Sequence, residues 1–154
     1  MVVNTGIETL GVLFKDMNGD GYKDFVEEGY GGAGSGEKYY NDVYLYNPRK
    51  HSLDYIDGLG LNPHFDPKKG IVTCSSRPNG GFNAQKYKLN WNILELQEEI
   101  EIELREMIPG SKNINCIRKI YRYRNKERYL FKQDKNSDFP TEYKYYKELV
   151  KEPE

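Results

Sequence analysis

Asp16, Asn18, Asp20, Asp24 and Glu27 crowd oxygen-bearing side chains into the short stretch "DMNGDGYKDFVE" (16–27). Carboxylates so close repel one another unless something offsets their charge. Oxygen donors at alternate positions of a tight loop suit a hard divalent cation. Calcium takes about six to eight such oxygens, and its loop reads Asp-x-Asp/Asn-x-Asp/Asn-Gly with a carboxylate at the twelfth place. Asp16, Asn18 and Asp20 hold the first, third and fifth places, and Gly21 the sixth, where the chain turns sharply. Tyr22 offers its backbone carbonyl at the seventh, Asp24 holds the ninth and Glu27 the twelfth. The expectation is a Ca2+ site formed by Asp16, Asn18, Asp20, Tyr22, Asp24 and Glu27. The other reading of these residues is a turn whose Asn and Asp side chains cap their own backbone. Because every place is filled by a protein oxygen, the expected ion is structural, with no open catalytic position.

An EF-hand needs a helix on each side of the loop. "GIETLGVLF" before it is β-rich, and "FVEEGYGGAGSG" after it cannot sustain a helix, so the loop is expected to join β elements. The rest of the chain reads as strands and turns. "DVYLYNP" alternates Val43, Leu45 and Asn47 with Asp42, Tyr44 and Tyr46. In "QKYKLNWNILELQEEIEIELRE", taken as one long structured stretch, Leu94, Leu96, Ile100, Ile102 and Leu104 fall on even positions. Glu95, Glu99, Glu101 and Glu103 fall on odd ones. That period of two means strand, although glutamate favours helix. "IPGSKN" turns the chain, and "NCIRKIYRYRNKERYLFKQD" alternates in part, with a hairpin turn expected at Asn125 and Lys126. "TEYKYYKELVKEPE" places Tyr143, Tyr146, Leu149 and Val150 at helical spacing. The predicted fold is one all-β domain over 1–154, an antiparallel meander with a short C-terminal helix.

Charge is informative by its arrangement. The net charge is -1 and the pI about 6.2, so no global excess favours nucleic acid. The acid of 95–106 and the base of 112–135 are sequence neighbours, and they are expected to face each other across an antiparallel ladder. No apolar run is long enough to span a membrane. The start "MVVNTGIETLGVLF" lacks the basic and apolar regions of a signal peptide. The protein is therefore cytoplasmic, or it is periplasmic or in the cell envelope with a signal removed. Cys74 and Cys116 read either as two buried thiols or as one disulfide between distant strands. Catalysis is not expected: there is no G-x-S-x-G or H-E-x-x-H, and His51 and His64 have no nucleophile at a telling spacing.

A strand, then D-x-N-x-D-G-Y-x-D, then a glycine-rich loop resembles the calcium loops of FG-GAP/VCBS-type β-propeller proteins. Over about 10–105, "DMNGDGYKDF", "NDVYLYNPRKHSLDYIDGLGLNPHFDPKKGIVTCSSR" and "YKLNWNILELQEE" are similar to a family of small bacterial inhibitors of peptidoglycan hydrolases. That family includes immunity proteins against secreted antibacterial effectors. The resemblance implies an incomplete, propeller-like β-fold, stabilised by calcium, that binds and blocks a lysozyme-type hydrolase. Under that reading the loops "GYGGAGSGEKYY" and "SSRPNGGFN" reach the partner, with Tyr30, Tyr39, Tyr40, Arg77 and Phe82 as anchors of the types interfaces favour. The alternative is a calcium-stabilised adhesion or carbohydrate-binding module. The absence of a second D-x-N-x-D-G weighs against a repeated array.

Overall fold

The structure, a computed structural model, describes residues 7–31, 38–76, 81–107 and 114–136. Ten antiparallel strands form two sheets with no helix among the described residues. The first sheet holds β1 (Ile7–Lys15), β2 (Asp24–Gly31), β3 (Lys38–Asn47) and β4 (Ser52–Tyr55), in that order. The second holds β5 (His64–Asp66), β6 (Ile71–Ser76), β7 (Phe82–Asn90), β8 (Ile93–Met107), β9 (Ile114–Arg124) and β10 (Glu127–Asn136), again in order. Each sheet is a meander, and neither closes into a barrel or a propeller among the described residues. The predicted C-terminal helix lies outside the described residues.

Alternation dictates the packing. Val43 and Leu45 of β3 are buried and Tyr44 and Tyr46 face outward, as the period of two requires. Val43 and Leu45 join Met17, Val26 and Ile56 in one core cluster, and Leu13, Leu59, Phe65, Leu89 and Leu94 pack on it. This cluster takes side chains from both sheets, so it fastens them together. A second cluster, Phe82, Ala84, Ile100 and Ile102 with Ile120, belongs wholly to the larger sheet.

The long stretch 85–106 is two strands, not one. Trp91 adopts φ 56°, and the chain reverses there so that Leu89 pairs with Leu94. The apolar parity changes from odd at Tyr87 and Leu89 to even at Leu94 and Leu96, which is what a two-residue loop produces. The tip of this hairpin docks on β4. The Trp91 indole N–H donates to Asp54 at 2.8 Å, the Asn47 amide donates to the same oxygen at 2.9 Å, and the Asn92 amide donates to the Tyr55 carbonyl at 2.9 Å. The Asn47 bond first, then the Trp91 bond, holds the Asp54 carboxyl below its ordinary range. A depressed carboxyl pKa gives stability that is present above the unfolded-state pKa and lost as pH falls through the folded one. Acid titration is therefore expected to release the hairpin tip only below the usual carboxylate range. The fluorescence of Trp91, the sole tryptophan, will report it, and Asp54→Ala will abolish that acid transition.

The second hairpin turn falls where the sequence places it. Asn125 and Lys126 both have positive φ, 51° and 66°, the pattern of a type I′ turn. Acid and base meet across β8, β9 and β10 as expected. Lys119 pairs with Glu103 at 2.9 Å, Arg122 with Glu98 at 3.1 Å, and Arg128 with Glu99 and Glu101 at 3.2 and 3.1 Å. Glu99 is buried, and it also accepts the Tyr123 hydroxyl at 2.8 Å.

The disulfide reading is overturned. Cys74 is a free, buried thiol on β6, whereas Cys116 belongs to β9, with β7 and β8 between them. Three strand spacings amount to about 14 Å, twice the roughly 7 Å reach of a disulfide. Burial pushes the Cys74 thiol up to about 11. In a Cys116→Ser background, Cys74 is expected to resist iodoacetamide at pH 8 in the folded protein and to react at once in denaturant.

Candidate functional site

The acidic loop links β1 to β2 at one end of the smaller sheet. Asp16 sits at its entrance and accepts N–H groups from Gly19 at 2.6 Å and Gly21 at 2.9 Å, one on each carboxylate oxygen. The Asn18 side-chain oxygen accepts from Asp20 N–H at 3.1 Å, and its amide donates to Asp20 at 2.9 Å. Asp20 accepts from Tyr22 N–H at 2.9 Å. Gly19 and Gly21 both adopt left-handed φ, 81° and 89°. A Cβ on Gly19 would lie 3.1 Å from the Pro67 carbonyl oxygen, so glycine there also lets the loop press against the turn between β5 and β6.

Asp24 anchors the exit of the loop. It is fully buried, and its two oxygens accept the N–H groups of Met17 at 2.8 Å and Tyr46 at 2.9 Å. It thus clamps the loop to β3 and sets Met17 into the core. Burial raises its carboxyl pKa, the two N–H bonds oppose that, and the charges of Asp20 and Asp16 add to the rise. The three carboxylates therefore feel one another. Yet among the described residues no three acidic, histidine or cysteine side chains are gathered as a ready-made metal site. Tyr22 is exposed, with its ring 5.7 Å from that of Tyr46.

Glu27 is not brought to the loop. It lies three residues along β2 from Asp24, and the pleat turns it to the opposite face, alongside Phe25. A helix after the loop would keep such a residue near the ion; a strand carries it away. The donors the loop offers are the side-chain oxygens of Asp16, Asn18, Asp20 and Asp24 with the Tyr22 carbonyl. An oxygen that accepts one N–H keeps a further lone pair, but Asp24 is fully buried with both oxygens on backbone N–H groups, so the accessible side-chain donors are those of Asp16, Asn18 and Asp20.

The partner-binding candidates Tyr30, Tyr39 and Tyr40 fall at the other end of β2, about 20 Å away by strand rise. Tyr30 pairs with Tyr39 across β2 and β3, ring centroids 5.3 Å apart. Tyr40 faces the other side of the sheet, and its ring lies across Gly31, where an added Cβ would approach it to 3.0 Å. Arg77 lies outside the described residues. Phe82 is core, 1% exposed and in phase with Ala84 on the buried face of β7, so it packs the sheet and does not reach a partner.

Asn62 is the residue the sequence reading missed. Its side chain accepts Tyr39 N–H at 2.9 Å and donates to the Ser75 carbonyl at 3.0 Å, and its backbone N–H donates to the Tyr39 carbonyl at 2.9 Å. One asparagine thus ties the start of β3 to the end of β6. The bases of the two glycine-bearing loops leave the fold side by side. The signal lay in "LNP", where an Asn before Pro suits a turn and φ 48°.

No family model matches the chain, and no curated protein matches it. The described architecture defines a two-sheet antiparallel β-protein. A solved structure of a Xanthomonas type IV secretion system related protein shares this fold, with a TM-score of 0.56 and 21% identity over 79% of this chain. The chain spans 57% of that protein's length.

Among the described residues no helix is long and apolar enough to cross a membrane.

Proposed function

We propose that the protein is a calcium-binding inhibitor or immunity protein that binds and blocks a bacterial cell-wall hydrolase or secreted antibacterial effector. It acts in the periplasm or cell envelope if a signal segment is removed, otherwise in the cytoplasm, and is not itself an enzyme. The observation that carries this reading is the Asn62 clasp, which sets the bases of two loops side by side on rigid strands. Adjacent attachment points on a stiff scaffold suit insertion into a cleft, because little conformational freedom of the scaffold is lost on binding. Calcium at the far end of β1 and β2 stiffens the sheet that carries Tyr30 and Tyr39 and makes no contact with the partner. The neighbour that shares the fold is described as related to a type IV secretion system, which fits a bacterial secretion-associated setting.

The test is substitution at the loop bases and in the second loop. Tyr30→Ala, Tyr39→Ala and Arg77→Ala are expected to leave the melting temperature within a few degrees while weakening capture of a peptidoglycan hydrolase at least tenfold. Unchanged capture in all three would overturn the reading.

A further inference from the structure

The outer face of the β1–β4 sheet carries an unbroken aromatic row. Phe14, Phe25, Tyr44 and Tyr55 come from four successive strands, with ring centroids 5.7, 5.6 and 5.0 Å apart. The face is open to solvent: Phe14 is 64% exposed, Val12 52% and Tyr55 42%. A contiguous apolar surface of this kind marks a place of contact. Beside the row, Glu27 and Asp42 stand directly opposite each other in the β2–β3 register. Like charges so placed oppose pairing of the strands. Asp42 accepts the Tyr55 hydroxyl at 2.8 Å, and Glu27 has no ion pair among the described residues. A cavity of about 220 Å³ opens at this edge, lined by Glu27, Glu28 and Asp42 and by no basic side chain. The contrast with the larger sheet is sharp, since there Glu98, Glu99, Glu101 and Glu103 are each answered by lysine or arginine.

We propose that this face docks a protein segment bearing an arginine or lysine. The cation lies against Glu27 and Asp42, and its stem and neighbouring apolar residues lie on the aromatic row. Charge complementarity selects this occupant: flat rings attract a cation over their faces, and the carboxylates fix its position. The outer face is separate from the Tyr30–Tyr39 pair, so the two surfaces fail or succeed independently.

The test is NMR titration of the full, isotope-labelled chain with a short arginine- and leucine-bearing peptide and with its citrulline twin, which keeps the shape and loses the charge. The arginine peptide is expected to shift amide signals of residues 12–14, 25–28, 42–44 and 55, and to bind at least fivefold tighter than the citrulline peptide. Glu27→Gln combined with Asp42→Asn is expected to remove that fivefold preference. Equal binding of the two peptides, shifts confined to other strands, or the same shifts with a chitin oligosaccharide in place of either peptide would overturn the proposal. Hydrolase capture that persists in the double variant leaves the inhibitor reading standing whatever the peptides do.

Discussion

In chelator, Asp24→Ala will destabilise the fold by about 3 kcal/mol, because each buried backbone donor left without an acceptor costs roughly 1–3 kcal/mol. The carboxylate is fully buried and serves the Met17 and Tyr46 N–H groups at once. Alanine removes both acceptors and offers water no easy route to replace them. At about 3 °C per kcal/mol for a domain of this size, the melting temperature falls by about 9 °C. Asp24→Asn keeps the shape but turns an amide N–H toward one of the two donors, so its cost will be intermediate. Asp20→Ala is the control. Asp20 is exposed and serves only loop groups, so in chelator its removal will cost less than about 1 kcal/mol. Thermal unfolding of the three variants in chelator checks the order; equal losses for Asp20→Ala and Asp24→Ala would show that the clamp is not what holds the loop.

Calcium will raise the melting temperature of the intact protein. Ligand at a hundredfold excess over its dissociation constant adds about 2.7 kcal/mol, or about 8 °C on the same scale. The loop carries Asp16, Asp20 and Asp24 close enough for the first two to raise the pKa of the third. A divalent cation among them replaces mutual repulsion with attraction. Magnesium will do less, because it holds its waters and demands near-octahedral geometry. Asp16→Ala and Asp20→Ala will each abolish the calcium response, whereas Glu27→Gln will keep it, since Glu27 faces the opposite side of β2. A chelator-insensitive melting temperature would make the loop a self-capped turn.

The parts of this fold legible in the sequence are those governed by local period. The alternation of β3, the strand nature of the glutamate-rich β8 and the Asn125–Lys126 turn follow from spacing alone. The acid-base ladder between β8 and β9 follows from two neighbouring blocks of opposite charge. What could not be read depends on contacts distant in sequence. The Trp91 turn carries neither glycine nor proline, and its indole is held by Asp54, 37 residues away. Phe82 has the chemistry of an interface anchor, and only the register with β8 shows that it is buried beside Ile100 and Ile102. Glu27 fits the spacing of a helical calcium loop, and it misses because a strand, not a helix, follows Asp24. The Asn62 clasp joins β3 to β6 through a residue that reads locally as an ordinary turn former.

The most direct measurement is clearing of purified peptidoglycan by a panel of lysozyme-type hydrolases and secreted effectors. Each is assayed with the intact protein in calcium, with the protein in chelator, and with Asp16→Ala in calcium. The account predicts stoichiometric inhibition of at least one hydrolase in calcium, weakened at least tenfold by chelator or by Asp16→Ala. Full hydrolytic activity of every enzyme at micromolar protein in calcium would contradict it.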